Sequence, residues 1–320
     1  MVFPLALSGV STSIAMTIAF PTIRLGTRAS PLAMAQAHMV EAALIAAHPG
    51  LLVEIMPVIA SGDRVLDRAL SEVGGKALWT KELDHALLSG EIDIAVHSMK
   101  DVETLRPPEL RIAAMLPRAD VRDRLIGAVS VAALPQNARV GTSAPRRTAQ
   151  LLKLRPDLII TLFRGNVATR LAKLEAGEAD ATLLAAAGLD RLGMGDTGFA
   201  VPIEKMLPAP AQGAVGIEAL ADNDAVQCIL APLNHNDTFE CVIAERAFLA
   251  ALSADCQSPV AALAIVDGDQ IWLRAQIYTL DGVHSENDEI RFARGDSSAP
   301  TKLANLLLDR SARELRAIFG

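Results

Sequence analysis

A carboxylate, a thiol and a set of arginines are the side chains here whose types and spacing could do chemistry. Asp101 ends the run Ser98-Met99-Lys100-Asp101, directly after the apolar stretch 94–96. A carboxylate at a strand end, beside a lysine, suits proton transfer or stabilisation of a cationic intermediate. The alternative is a local ion pair at the start of a loop. Cys256 sits in Asp255-Cys256-Gln257-Ser258-Pro259, between a helical and an extended stretch, so it belongs in a loop. A thiolate there could form a covalent attachment. Cys228 and Cys241 fall in apolar helical runs and read as packing.

Arg146 and Arg147 fall in the first turn of a helix read as capped by Ser143. Two cations there oppose the helix dipole, at about 0.3–1 kcal/mol each. Free N–H groups at a helix start also bind anions, so cations and N–H groups together would make an anion trap. Solvated charges on an exposed face are the alternative. Arg28 just before Ser30, Arg164 in Arg164-Gly165-Asn166, Arg170 one turn later and Arg191 after Gly188-Leu189-Asp190 lie at or near strand-to-helix handovers. In open α/β sheets that rim is where ligands bind. Each charge-assisted Arg–carboxylate bond contributes about 1.5–3 kcal/mol, so several could hold a small polycarboxylate. His97 reads equally well as a core histidine.

The elements that must position these groups follow an α/β grammar. Residues 23–27 read as a strand, and Ser30-Pro31 opens a helix with a capping residue and a proline in the first turn. Leu32, Ala35, Met39, Ala43 and Ala46 form its apolar stripe, and His48-Pro49-Gly50 stops it. A strand at 52–59, a polar glycine-containing loop at 62–78, a helix at 81–88 and a buried strand at 93–97 follow. The runs from Pro107-Pro108 to Pro117-Arg118 and across Leu207-Pro208-Ala209-Pro210 read as linkers. Beyond Asn234, a helix at 239–252, strands near 271–277 and a final helix at 301–318 make a third unit.

The first two units repeat one another. Val140-Gly141-Thr142-Ser143-Ala144-Pro145, running into Thr148-Ala149-Gln150, echoes Leu25-Gly26-Thr27-Arg28-Ala29-Ser30-Pro31 with its Ala35-Gln36. A helix at 166–176 ending in Gly177-Glu178-Ala179-Asp180 before a strand at 181–184 matches Gly90-Glu91-Ile92-Asp93 before 94–96. Two matches in the same order imply two homologous α/β lobes facing a cleft, the first enlarged mainly by the loop at 62–78.

Composition narrows the function. A chain of 320 residues suggests two or three domains and buries about three quarters of its unfolded surface, so it needs no covalent staples. With 51% apolar but only 3% aromatic residues, the core is aliphatic, which suits helices on a mostly parallel sheet. The net charge of −7 argues against a nucleic-acid surface. Yet 23 of the 30 basic residues are arginine, whose planar fork grips carboxylate or phosphate. Three cysteines with no C-x-x-C spacing, and no H-x-x-x-H, argue against a disulfide framework or a zinc site. Residues 1–20 are apolar and uncharged, without the basic start of a secretory signal, and read as a disordered extension of a cytoplasmic protein. No stretch reads as a membrane span. No G-x-G-x-x-G or G-x-x-x-x-G-K-[ST] follows a strand, which removes the support for nucleotide chemistry. A two-lobed solute binder would explain the arginines but not Cys256 or the third unit.

Taken together the chain resembles the porphobilinogen deaminase (hydroxymethylbilane synthase) family from Ile23 onward. The resemblance is carried by Thr27-Arg28-Ala29-Ser30-Pro31-Leu32-Ala33, Val73-Gly74-Gly75-Lys76, Lys81-Glu82-Leu83, Asp93-Ile94-Ala95-Val96-His97-Ser98-Met99-Lys100-Asp101 and Val140-Gly141-Thr142-Ser143. It continues through Arg146-Arg147, Arg164-Gly165-Asn166-Val167, Gln212-Gly213-Ala214-Val215-Gly216, Ala244-Glu245-Arg246-Ala247 and Cys256-Gln257. It implies two periplasmic-binding-protein-like lobes, at 21–116 plus 215–232 and at 117–214, and a C-terminal α/β domain at 233–320.

The resemblance also implies a dipyrromethane cofactor held by a thioether to Cys256. Four porphobilinogens would lose ammonia, add head to tail, and leave as hydroxymethylbilane after hydrolysis. Asp101 would assist loss of the amine and stabilise the azafulvene cation. Ser98, Lys100, Ser143, Arg146, Arg147 and Arg164 would bind the cofactor. Arg28, Ser30, Arg164, Arg170 and Arg191 would bind substrate carboxylates. The loop at 62–78 would act as a lid, and the protein would be a monomer. The chain departs from the family at Ala254-Asp255, where glycine usually precedes the cysteine, and at Ala69, Ala77, Trp79 and Ala211.

Overall fold

The computed structural model describes residues 22–58 and 80–319. The extension at 1–20, the loop at 62–78 and Trp79 lie outside them.

The first sheet contains β1 (Ile23–Arg28), β2 (Val53–Val58), β3 (Ile94–Ser98), β4 (Leu110–Met115) and β10 (Val215–Leu220), in the order β2-β1-β3-β10-β4. The second contains β5 (Asp123–Ile126), β6 (Arg139–Gly141), β7 (Ile159–Thr161), β8 (Ala181–Ala185) and β9 (Phe199–Ala200), in the order β7-β6-β8-β5-β9. Position by position the two sheets are the same. Three strands run parallel, then a fourth lies antiparallel between the third and the edge strand. The internal repeat is therefore a repeat of topology. The sheets are mixed, because the fourth strand of each enters by a crossover from the other lobe.

One expected linker is partly a strand. Leu110–Met115 is β4, paired along β10, and only residues 116–122 and 201–214 cross between lobes. The flanking prolines suggested a linker, but Leu110, Ile112, Ala114 and Met115 are buried and join the cores packed around the first sheet.

Helix α1 (Pro31–Ala47) starts as expected, with Ser30 accepting from the Ala33 N–H at 3.4 Å. Its buried face differs from the expected stripe. Ala33, Gln36, Ala37, Val40 and Leu44 are buried, while Met39 is exposed. A helix that is apolar nearly all round leaves its orientation to the sheet it covers, and the one polar residue on the inner face, Gln36, has a partner in Ser98. Lobe 1 is completed by α2 (Lys81–Leu88) and by α6 (Asp224–Leu230), where Cys228 is exposed rather than packed.

In the second lobe α3 (Pro145–Leu154) begins at Ala144, with no side-chain cap. Ser143 is thus not the capping residue. Helix α4 (Val167–Glu175) is capped by Asn166, whose Oδ1 accepts from the Thr169 N–H at 2.9 Å, and α5 (Ala186–Arg191) follows β8 directly.

The third unit is an antiparallel meander of β11 (Val260–Asp267), β12 (Gln270–Tyr278) and β13 (Ser285–Ala293). It is covered by α7 (Asn236–Ala251) and α8 (Ala299–Arg310), with Phe248, Leu252, Leu273, Ile277, Leu303 and Leu307 in its core. The expected final helix breaks at Ser311, which is extended and whose hydroxyl donates to the Leu307 carbonyl at 2.7 Å; α9 (Arg313–Arg316) is a separate turn.

Both crossovers meet this third unit at one fully buried carboxylate. Glu245 on α7 accepts two bonds from the Arg118 guanidinium, at 2.7 and 3.0 Å. It also accepts from the N–H of Ala211 at 2.5 Å and of Ala264 at 2.7 Å. Both crossover segments are thereby pinned to the third domain. Ala211 has a positive φ of 61°, in a region glycine enters more easily, and the Glu245 bond helps hold it there.

Candidate active site

The site is assembled from β3, α3, α4 and the loop before β11. Where β3 ends, residues 99–101 make one 3-10 turn whose Met99 is buried against Gly216 of β10. The turn leaves Asp101 half-exposed, 3.5 Å from Lys100 Nζ, so the local ion pair does form. Immediately before it, Ser98 and the buried Gln36 amide exchange hydrogen bonds at 2.8 and 3.1 Å. A small cavity is lined by Arg28, Ser30, Gln36, Ser98 and Asp101. The structure therefore brings together the first-lobe residues expected from sequence, with Gln36 in addition. Ser30 also caps α1 there.

Across the cleft, Arg146 and Arg147 are buried, at 4% and 5% exposure, and are neither solvated nor a free anion trap. Both grip Asp123, at 2.8 and 2.7 Å. Arg146 also donates to Gln150 and to the Leu207 carbonyl, and Arg147 to the Leu183 carbonyl. Burial alone would push the Asp123 carboxyl up, but the two guanidiniums override that and hold it well below the usual carboxylate range. The pair is thus anchored through protein groups, which corrects the expectation of cations waiting at a helix start. Two guanidiniums against one carboxylate still leave a net positive charge. Asp123 had no signature in the sequence beyond the need of buried twin arginines for a counter-charge.

Arg170 and Arg164 face the same region. Among the described residues Arg170 donates to the Gly165 carbonyl at 2.9 Å and, at 3.5 Å, to Ser143, and to no carboxylate. Burial and the fields of Arg147 and Arg164 push its guanidinium down to about 10, with Asp101 opposing them. Arg164 is 5% exposed. Arg191 lies at the C-terminal end of α5 rather than at a helix start, and donates to the Gly213 carbonyl on a crossover at 2.6 Å.

Cys256 comes from the third unit. Its loop is exposed, but the neighbouring protein crowds the sulfur. That burial pushes the thiol up to about 12, with Asp101, Asp255 and Glu103 adding to the shift and Lys100 opposing it. Asp101 therefore lies within electrostatic reach of both Cys256 and Arg170, and three parts of the chain converge on it.

Behind the site lies a second charged cluster. Arg106 pairs with Glu218 at 2.9 Å, Glu103 at 2.7 Å and also Asp84, and His97 Nε2 lies 3.1 Å from Glu218. His97 is thus a partnered core histidine. Burial alone would raise the Glu218 carboxyl, but hydrogen bonds from His97 and Arg106 override it and hold it down at about 2. A depressed acid stabilises the fold above its unfolded value of 4.5 and loses that contribution as pH falls toward 2. Parent protein should therefore exceed Glu218→Gln in urea midpoint at pH 7, with the gap closing below pH 4.5. A gap independent of pH would show that the cluster stabilises by packing alone.

The donors suit a bound polycarboxylate. A surplus of buried positive charge, an Arg170 without a carboxylate partner among the described residues and the Cys256 thiol on a loop at the same place fit a dipyrromethane bearing acetate and propionate arms.

Comparison with known proteins agrees. The model for "Porphobilinogen deaminase, dipyromethane cofactor binding domain" matches residues 23–228, and that for "Porphobilinogen deaminase, C-terminal domain" matches residues 239–309. The porphobilinogen deaminase of Sphingopyxis alaskensis is 55% identical over 307 residues, covering 93% of this chain and 96% of that protein. Among solved structures, the periplasmic VFT2 domain of Bordetella pertussis BvgS is 16% identical, with a TM-score of 0.38 over 67% of this chain and 86% of that one. A sulfonate-binding protein from Methylobacillus flagellatus is also 16% identical, with a TM-score of 0.36 over 72% and 68% of the two chains. No helix among the described residues is long and apolar enough to cross a membrane. With both lobes and the third unit matched in order, this chain belongs to the porphobilinogen deaminase family.

Proposed function

We propose that this chain condenses four porphobilinogens head to tail on a dipyrromethane bound through Cys256, then releases hydroxymethylbilane by hydrolysis. The observation that carries the reading is the meeting of Asp101, the arginines of the second lobe and Cys256 in one cleft. The dipyrromethane, when bound, supplies the pyrrole carbon to which each new unit is added. The protein's own residues bind, orient and move protons. Arg28, Ser30, Arg164, Arg170 and Arg191 hold the acetate and propionate arms of incoming units. Ser98, Lys100, Ser143, Arg146, Arg147 and Arg164 hold those of the cofactor, Arg146 and Arg147 acting through the charge that Asp123 leaves uncompensated. Asp101 stands beside the aminomethyl group, aids its protonation and loss as ammonia, and faces the cation that remains.

In this reading the chain divides at 21–116 plus 215–232, 117–214 and 233–320. It works as a cytoplasmic monomer on a small molecule, with no nucleic-acid or membrane partner. Intact mass tests it directly. Purified protein should exceed its polypeptide mass by one dipyrromethane, and Cys256→Ala should show the bare mass. A parent with no added mass that gains none on incubation with porphobilinogen would instead be a two-lobed binder of polycarboxylates.

A further inference from the structure

Thr104, backed by Arg246, joins the segment that carries Asp101 to the loop that carries Cys256, and neither of the two is given a role above. Directly after the turn holding Asp101, the carbonyls of Val102, Glu103 and Thr104 converge on one guanidinium. Arg246 of α7 donates to them at 3.1, 2.6 and 3.1 Å. Arg246 is 8% exposed, and its hydrogen bonds among the described residues go to these carbonyls and not to a carboxylate. A buried cation is costly unless polar groups surround it, so three carbonyls held at one point are a fixed arrangement. The Thr104 hydroxyl then donates to the Ala254 carbonyl at 2.9 Å, two residues before Cys256.

The cysteine loop is itself stiff. The Gln257 N–H donates to Asp255 Oδ1 at 2.8 Å and the Asp255 N–H to Ser258 Oγ at 3.0 Å. A stiff loop fastened at Ala254 moves with whatever fastens it. The chain thus runs from Asp101 through Val102 and Glu103 to Thr104, and across one hydrogen bond to the anchor loop.

We infer that Thr104, backed by Arg246, is a positioning residue that sets the separation between Cys256 and Asp101 and so aligns successive condensations. This rests on the reading of Cys256 as the anchor and Asp101 as the reacting carboxylate. Losing one part-buried hydroxyl–carbonyl bond costs a folded domain little stability. A reacting group displaced by about 1 Å can lose on the order of 100-fold in rate. The signature is therefore a rate loss out of proportion to the loss of stability.

Thr104→Val keeps the shape and removes the hydroxyl, and Thr104→Ser keeps the hydroxyl. In the holoenzyme, Thr104→Val should carry the dipyrromethane by intact mass and keep KM, while kcat falls roughly 10- to 100-fold. Thr104→Ser should recover most of that rate. In protein produced without porphobilinogen, Cys256 of Thr104→Val should be alkylated faster than in the parent, since the loop is released. A Thr104→Val enzyme as fast as its loaded parent would overturn this inference alone. So would a Thr104→Ser enzyme as slow as Thr104→Val, or a rate loss matched by equal loss of cofactor. A parent that carries no dipyrromethane and turns nothing over would overturn the functional reading, and this inference with it.

Discussion

Asp101→Ala should fold like the parent and lose about 100- to 10,000-fold in kcat, the range for a positioned acid–base group. The structure gives both halves of that expectation. Asp101 is half-exposed and its ion pair is the 3.5 Å contact with the part-exposed Lys100, so truncation breaks no buried ion pair and changes stability by about 1 kcal/mol or less. Its carboxylate nevertheless faces the cleft, within electrostatic reach of Arg170 and Cys256, where nothing else of negative charge approaches both among the groups that shift them. Steady-state kinetics beside a thermal melt separates the two effects. Turnover within threefold of the parent would remove Asp101 from the mechanism.

Asp123→Ala should do the reverse and strike the fold first. Two guanidiniums at about 5% exposure share that carboxylate, and Gln212 donates to it as well, at 3.0 Å. Removing one partner of a buried ion pair costs about 3–5 kcal/mol, because the charge left behind has neither water nor counter-ion. Urea unfolding should show a loss of that size, partly restored by a polyanion added to the cleft. A loss below about 1 kcal/mol would mean that water or a neighbouring group already satisfies the arginines.

What could be read from the sequence was what local chemistry decides. Ser30-Pro31 announces a helix start because capping is a matter of a few adjacent atoms, and Ser30 caps as expected; the cap at Asn166 is of the same local kind. The glycine-containing echoes revealed a repeat because the same turns recur in both lobes. The run at 110–115 did not announce itself as a strand. Its partner β10 lies about a hundred residues away, and prolines on either side suggested a linker. The stripe of α1 was misread for a related reason: where nearly every side chain is apolar, periodicity carries no phase. Arg146 and Arg147 stood out in the sequence, but their burial depended on Asp123, a residue unremarkable in its own neighbourhood. Ser143 looked like a cap because it is a serine before a proline-led helix, yet the helix begins one residue later.

The threading of β10 has a consequence for the order in which the molecule can form. The second sheet is made wholly from the continuous stretch between β5 and β9, and can close as soon as that stretch exists. The first sheet cannot. Its β4 edge joins the rest only through β10, which is made last and must slot between β3 and β4. Lobe 1 is therefore synthesised first and finished second, its gap held open while a whole domain is built, with the slow loop closure that such distant pairings entail. The Met99 N–H bonds to the Ala214 carbonyl, and Met99 packs on Gly216. The turn that aims Asp101 thus takes its final support from the strand that arrives last, and a nascent chain interrupted before that point holds all its first-lobe site residues without a working carboxylate.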